Sequence, residues 1–183
     1  NLTEDDFRGT AFVASKVPLK GNNDVLSLTR PDVISEIHRR YLEAGADIIT
    51  TNTFSSQVIS QKEYGLTDHV DALNRASATL ARQEADRMTE LSPSQPRFVV
   101  GDIGPTSKML SMSEDVNDPA SRAVSFDQVE TAYLQQMRVL LECRVDAVLV
   151  ETIFDTLNAK AAIYAAEKAM ESKRTELFCD TLN

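Results

Sequence analysis

Cysteine and histidine are both scarce: the chain has only Cys143 and Cys179, and only His38 and His69. The two cysteines lie far apart in apolar neighbourhoods. That usage fits free thiols in a reducing, cytoplasmic compartment rather than a disulfide framework. So dispersed, the four residues do not by themselves supply a zinc-binding spacing. Neither histidine has the Ser or Cys partner of a catalytic triad, and both read as surface residues of helices. Six Gly and six Pro exclude collagen-like and Pro/Gly-rich disordered chains. No apolar run reaches the roughly 18 residues of a membrane span. The acidic start, Asn1-Leu2-Thr3-Glu4-Asp5-Asp6, lacks the apolar core of a signal peptide, and the missing initial Met fits a processed or excised piece. Positive charge is in deficit, with Lys+Arg 19 against Asp+Glu 28 and a net charge of −9. Such a field repels phosphate backbones and anionic membranes, so neither nucleic acid nor a membrane is an expected partner.

What is present is an ordinary soluble composition, 42% hydrophobic and 26% charged over 183 residues. By length alone that is about one domain of roughly 100–200 residues. Short apolar runs alternate with longer amphipathic stretches. Strands are predicted at 46–50, 97–101, 147–151 and 176–179; they are rich in β-branched residues and do not alternate, as in a parallel sheet buried on both faces. Helices are predicted at about 32–44, 68–91, from 125 onward, and 156–172. Thr29 is the expected cap of the first, with Pro31 in its first turn and Gly45 as its stop. Ile34, Ile37 and Tyr41 form its stripe. Ser125 and Gln128 form a capping box for the third, whose stripe is Val129, Tyr133, Met137 and Leu140. Asp155 reads as the cap of the fourth. The methionines and Cys143 read as packing residues. This order argues for right-handed βαβ units. Two segments, 1–28 and 102–124, read as long loops, and the second follows a strand's carboxyl end, where parallel α/β folds bind ligands.

Four polar clusters sit in the opening loop or after strands. Lys20-Gly21-Asn22-Asn23-Asp24 reads as a turn. Thr51-Asn52-Thr53-Phe54-Ser55-Ser56 offers hydroxyls and an amide to orient a polar ligand, with Phe54 as an apolar wall; the alternative is a capped turn. Gly101-Asp102-Ile103-Gly104-Pro105-Thr106 lets backbone approach a ligand closely, and it is not a phosphate loop, having neither GKS/T nor GxGxxG. In Glu151-Thr152-Ile153-Phe154-Asp155, Glu151 ends a hydrophobic strand, where an unpaired carboxylate is costly. It needs a partner, either a ligand ammonium or a neighbouring Arg, Lys or backbone amide.

Taken in order, several segments resemble one family. They are Leu19-Lys20-Gly21-Asn22-Asn23-Asp24-Val25-Leu26-Ser27-Leu28, Glu43-Ala44-Gly45-Ala46-Asp47-Ile48-Ile49, Thr51-Asn52-Thr53-Phe54, Gly104-Pro105-Thr106, Asp115-Val116-Asn117-Asp118-Pro119 and Glu151-Thr152-Ile153-Phe154-Asp155-Thr156-Leu157-Asn158-Ala159-Lys160. They are similar to the homocysteine-binding module of cobalamin-dependent methionine synthase, over roughly Leu2 to Ala166. The resemblance implies a (β/α)8 barrel that binds homocysteine and zinc at its strands' carboxyl ends. Its zinc-bound thiolate takes a methyl group from methylcobalamin, which methyltetrahydrofolate recharges on other modules. It further implies that Glu151 pairs with the homocysteine ammonium, that Asn52, Thr53 and Phe54 line the pocket, and that Gly104 and Pro105 form adjacent wall. It assigns no catalytic residue and no metal ligand within this chain.

Departures from the family pattern are equally specific. Its opening Asp-Gly-Ala/Gly-Met-Gly-Thr strand is absent ahead of Asn1. Its three zinc cysteines, including a Gly-Gly-Cys-Cys-Gly run, have no counterpart, since Cys143 and Cys179 stand elsewhere. Thr50 replaces a usual Glu, and the match fades past Ala166. The expected architecture is therefore α/β, a partial (β/α)8 barrel of about four parallel strands in a single domain over 1–183, against about 250 residues for a whole barrel. Such a piece exposes strand edges and apolar surface. It calls for the remaining half of the barrel, the cobalamin and folate modules of a parent, or self-association, and alone is expected to be inactive, with no zinc or cobalamin bound. Two alternatives stay open: a betaine- or S-methylmethionine-dependent homocysteine methyltransferase, and a non-catalytic half-barrel acting in assembly or regulation.

Overall fold

In a computed structural model, which describes the backbone of residues 2–180 and the side chains of residues 2–173, strands and helices alternate. The helices are α1 (Glu4–Arg8), α2 (Leu26–Thr29), α3 (Pro31–Glu43), α4 (Val58–Gln61), α5 (Val70–Leu91), α6 (Phe126–Glu142) and α7 (Thr156–Asp180). The strands are β1 (Ile48–Thr50), β2 (Phe98–Ile103) and β3 (Ala147–Val150). They form one sheet in the order β1-β2-β3, parallel throughout. Ile48 stands beside Phe98, and Asp102 beside Leu149. Helical segments connect each strand to the next, the βαβ arrangement the hydrophobic periodicity implies.

The fourth expected strand is not a strand. Residues 176–179 continue α7, which runs to Asp180. The stretch from Thr156 to Asp180 contains no Gly or Pro, so nothing stops the helix. A four-residue apolar run cannot by itself be told from a helix turn. The Cys179 side chain lies outside the described residues.

Other expectations shift for local reasons. The opening segment is not a bare loop. Asp6 Oδ2 accepts from the Thr3 amide at 2.7 Å and its hydroxyl at 2.9 Å, closing the first turn of α1. Phe7, Phe12 and Leu19 then anchor the segment in a small core with Val25, Leu26, Ile34, Leu66 and Leu73. Thr29 does not cap α3. It ends α2 and donates its hydroxyl to the Val25 carbonyl, while Arg30 occupies the cap position of α3 without capping it, its guanidinium bonded to Asp6 and Asp32 instead. On α3, Ile34 and His38 are buried while Ile37 and Tyr41 are exposed, so His38 is not a surface residue. Of the methionines, Met137 is fully buried, but Met112 and Met170 are more than half exposed and pack little.

The main core lies between one face of the sheet and helices α5, α6 and α7. Ile49, Val99 and Ile103 meet Ala78, Ala81, Ala85, Tyr133, Met137 and Leu140 there. The capping box of α6 forms as expected: Ser125 Oγ accepts from the Gln128 amide, and Gln128 Oε1 accepts from the Ser125 amide. Val129, Tyr133, Met137 and Leu140 are all fully buried. The other sheet face is open. Ile48, Phe98 and Leu149 are 57%, 43% and 40% exposed, so the strands are covered on one face rather than two.

Asp155 caps α7 and also ties down the long segment after β2. Its Oδ1 accepts from the Leu157 and Asn158 amides, and its Oδ2 accepts from the amide and hydroxyl of Ser111. Burial pushes this carboxyl up, but the Ser111, Leu157 and Asn158 donors outweigh it and hold it below its ordinary value. A depressed folded value means that the stabilisation is present above about pH 4 and lost as pH falls further. Asp155→Ala is expected to cost about 2–3 kcal/mol near neutral pH, combining a lost cap with an orphaned buried amide. The deficit should shrink in acid, as read from denaturant unfolding at several pH values.

Candidate active site

The carboxyl ends of the three strands converge on one polar region. After β1, the Thr51 hydroxyl accepts from the Asp102 amide at 3.0 Å and contacts the Thr53 hydroxyl at 2.6 Å. Thr53 Oγ1 in turn donates to the Asp102 carbonyl at 2.7 Å. These two small hydroxyls close the ends of β1 and β2 where the ladder stops. Gln136 of α6 donates to the Thr53 carbonyl at 2.7 Å. Thr53 is thus fully buried, its hydroxyl committed to the scaffold. Asn52 is tied down as well, its Nδ2 donating to the Asn23 carbonyl at 2.8 Å and to Ser27 Oγ at 3.0 Å.

Phe54 separates two cavities. One, of about 500 Å³, is lined by Ile37, His38, Tyr41, Asn52, Thr53, Phe54 and Asp102 among others. The second, of about 430 Å³, includes Asn22, Asp24, Asn52, Phe54, Pro105 and Thr106. Gly104 lines neither. Its role is closeness to Phe54: its amide donates to the Phe54 carbonyl at 3.1 Å, and a Cβ at this position would lie 2.5 Å from that carbonyl and 2.7 Å from the ring. The close approach that glycine permits in the ligand-free protein is to Phe54, the wall between the cavities.

The first cluster is more than a surface turn. Asp24 is buried, and its Oδ2 accepts from the Ser55 amide at 2.7 Å and Ser56 Oγ at 2.9 Å. Burial still pushes its carboxyl up to about 6.

Glu151 follows β3, its amide donating to the Ile103 carbonyl at 3.0 Å. The next residue, Thr152, has φ 56°. A β-branched residue in the left-handed region is strained by about 1–3 kcal/mol, and such strain clusters at functional sites. Glu151 lines neither cavity itself. Asp102, within β2, does line the first. Among the described residues no Arg or Lys pairs with Glu151. Asp102 is 6% exposed, and its Oδ1 is buried without a hydrogen-bond partner. Burial first, then the Glu151 carboxylate, push Asp102 up to about 7.

Residues 1–180 match the homocysteine S-methyltransferase family profile. The chain belongs to that family. Its fold is similar to the crystal structure of the homocysteine methyltransferase MmuM from Escherichia coli in its metallated form, at 21% identity and a TM-score of 0.61, over 74% of this chain and 47% of that one. The apo form of the same protein matches at 19% identity and a TM-score of 0.57, over 80% of this chain and 48% of that one. The chain spans about half the length of the solved structures it resembles.

Within this family frame, the geometry sorts the expected residues. Asn52, Thr53, Phe54 and Pro105 border cavities; Gly104 supports Phe54; Glu151 stands directly after β3 and lines neither cavity. Asp102 and Asp24 are the acids that sequence reasoning passed over as site residues. The signal for Asp102 was available, an acid inside the apolar strand Phe98–Ile103, the same argument that singled out Glu151. The zinc that the family resemblance implies does not fit the described residues, among which no three His, Cys, Asp or Glu side chains are grouped to hold a metal. Cys143 sits at the end of α6, before β3, at the opposite end of that strand from Glu151. It is half-buried, with its sulfur 3.7 Å from an Arg75 nitrogen; burial pushes its thiol up. Among the described residues no helix is long and apolar enough to cross a membrane.

Proposed function

We propose that this chain supplies the amino-acid-binding part of a homocysteine S-methyltransferase of the cobalamin-dependent methionine synthase type. The observation that carries this reading is Glu151. Its part-exposed carboxylate stands directly after β3, at the strands' carboxyl ends, with no cationic partner among the described residues, so a ligand ammonium can pair with it. Phe54 and Pro105 supply apolar wall for the ligand's short side chain, while Asn52 and Thr53 hold that wall in place. The methyl group comes from methylcobalamin, recharged from methyltetrahydrofolate on other modules; the Asp115–Pro119 segment and the Asp155–Lys160 run support this branch over betaine or S-methylmethionine as donor. The open sheet face at Ile48, Phe98 and Leu149 supports a domain completed by further barrel strands or a second copy. No step is routed through zinc, for which the described residues offer no site.

Calorimetric titration with L-homocysteine tests the reading. Glu151→Gln, which keeps size but removes the charge, is expected to weaken binding at least about tenfold, the loss of one charge-assisted bond. Its melting temperature should hold or rise. Equal affinity in the variant would remove Glu151 from the site. Supplying methylcobalamin, S-methylmethionine or betaine to the full polypeptide that carries this sequence distinguishes the donors, with methionine expected only from methylcobalamin.

A further inference from the structure

We propose that Asp24 is a positioning residue of the ligand pocket: its carboxylate holds the turn that carries Phe54 and so sets the wall between the two cavities. The inference rests on the reading of Phe54 given above and adds a residue of the opening segment to the site.

Residues 53–56 form a tight turn. The Ser56 amide donates to the Thr53 carbonyl at 3.1 Å, which makes Phe54 and Ser55 the two central residues. The one bond of such a turn uses its first carbonyl and its last amide, so the Ser55 amide needs an acceptor from elsewhere. Asp24 provides it. Its Oδ2 accepts from the Ser55 amide at 2.7 Å and from Ser56 Oγ at 2.9 Å. One oxygen thereby grips the two residues directly after Phe54. The Phe54 carbonyl accepts from the Gly104 amide at 3.1 Å. Phe54 is thus held by the turn after β2 on one side and by the opening segment on the other.

The anchor behind Asp24 is firm. Val25 and Leu26 follow it into the small core with Phe7, Phe12 and Leu19. Its neighbours repeat its grip. The Asn23 carbonyl and Ser27 Oγ accept from Asn52 Nδ2, ahead of Phe54. Asn22 donates to Gln61 at 2.8 Å, and Gln61 Nε2 donates to the Ser55 carbonyl at 3.1 Å. Asp24 supplies the only charged group in this set. A buried carboxylate is costly, and burial outweighs both donors in raising this one. Stability alone therefore favours an uncharged side chain here. What the carboxylate adds is a strong double acceptor that fixes the turn. Phe54 lines both cavities, and a shift of about 1 Å in a pocket wall costs up to about a hundredfold in function.

Calorimetric titration of the full polypeptide with L-homocysteine separates positioning from a direct ligand contact. Asp24→Ala removes the acceptor and should weaken binding at least about tenfold. Asp24→Asn keeps an acceptor oxygen without the charge, and should restore affinity to within about threefold of the unsubstituted protein. An Asn variant as weak as the Ala variant would mean that the charge itself meets the ligand, and would overturn the positioning role. The turn is read without ligand by ¹⁹F NMR of protein labelled with fluorophenylalanine, the Phe54 signal being assigned by its loss in Phe54→Leu. In Asp24→Ala that signal should shift and broaden more than those of Phe98 and Phe126, and in Asp24→Asn it should return near its original position. Should Asp24→Ala fail to fold, Ser56→Ala, which removes one of the two bonds, should move the Phe54 signal in the same direction and weaken binding about threefold. A Phe54 signal that stays in place when these bonds are removed, or undiminished homocysteine affinity, overturns the inference and leaves the binding reading intact. If the unsubstituted protein does not bind homocysteine, the functional reading fails and takes this inference with it.

Discussion

Tyr133→Ala is expected to lower the unfolding free energy by about 3–5 kcal/mol, the range for deleting a buried aromatic ring. Tyr133 is fully buried at the centre of the stripe on α6, packed in the same core as Val99, Ile103 and the alanines of α5 and α7. Its hydroxyl donates to the Gly104 carbonyl at 3.0 Å. Truncation therefore opens a cavity and also orphans the carbonyl of the turn that supports Phe54. Tyr133→Phe separates the two effects, since it keeps the ring and removes only the hydroxyl; a loss of about 1 kcal/mol is expected. The midpoint of urea unfolding reads both. If the Phe variant lost as much as the Ala variant, the hydrogen bond rather than the ring would hold this part of the core.

Gly104→Ala should damage the site more than the fold. The new Cβ would lie 2.5 Å from a backbone carbonyl and 2.7 Å and 2.8 Å from two ring carbons of Phe54. The carbonyl is also the acceptor of the Gly104 amide, so it cannot move away without breaking that bond. A stability loss of about 1–3 kcal/mol is expected from the overpacking. The larger consequence is displacement of Phe54, which lines both cavities, and homocysteine affinity should fall at least about tenfold. Wild-type affinity in Gly104→Ala would mean that Phe54 is not part of the ligand's wall.

Both expectations concern the turn at the strand ends, where side chains serve packing and the cavities at once. Two buried acids, Asp24 and Asp102, are pushed up to about 6 and about 7. Groups whose folded value is raised favour the folded state at low pH and lose that advantage as pH rises through the folded value. The strained Thr152 adds to the same account. Buried carboxyls at the two cavities and a left-handed Thr at the same strand ends cost stability where the candidate site lies.

Much of this was legible in the order of residues. Three of four strands, the capping box at Ser125 and Gln128, and the Asp155 cap are local patterns set by side-chain period and by short-range hydrogen bonds, and such patterns survive in one dimension. So does the run of motifs from Lys20 to Lys160 that marks the family. The end of α7 was not legible, because a short apolar run suits either a helix or a strand until a neighbouring strand is there to pair with it. Nor was the one-sided burial of the sheet, since β-branched strands look alike whether the second face is covered or open. Only the tertiary structure set Asp102 beside Leu149 at the ends of β2 and β3 and turned Gly104 into the seat of Phe54. Both depend on parallel strands ending at one level, and that register is decided by packing between distant segments rather than by any local sequence signal.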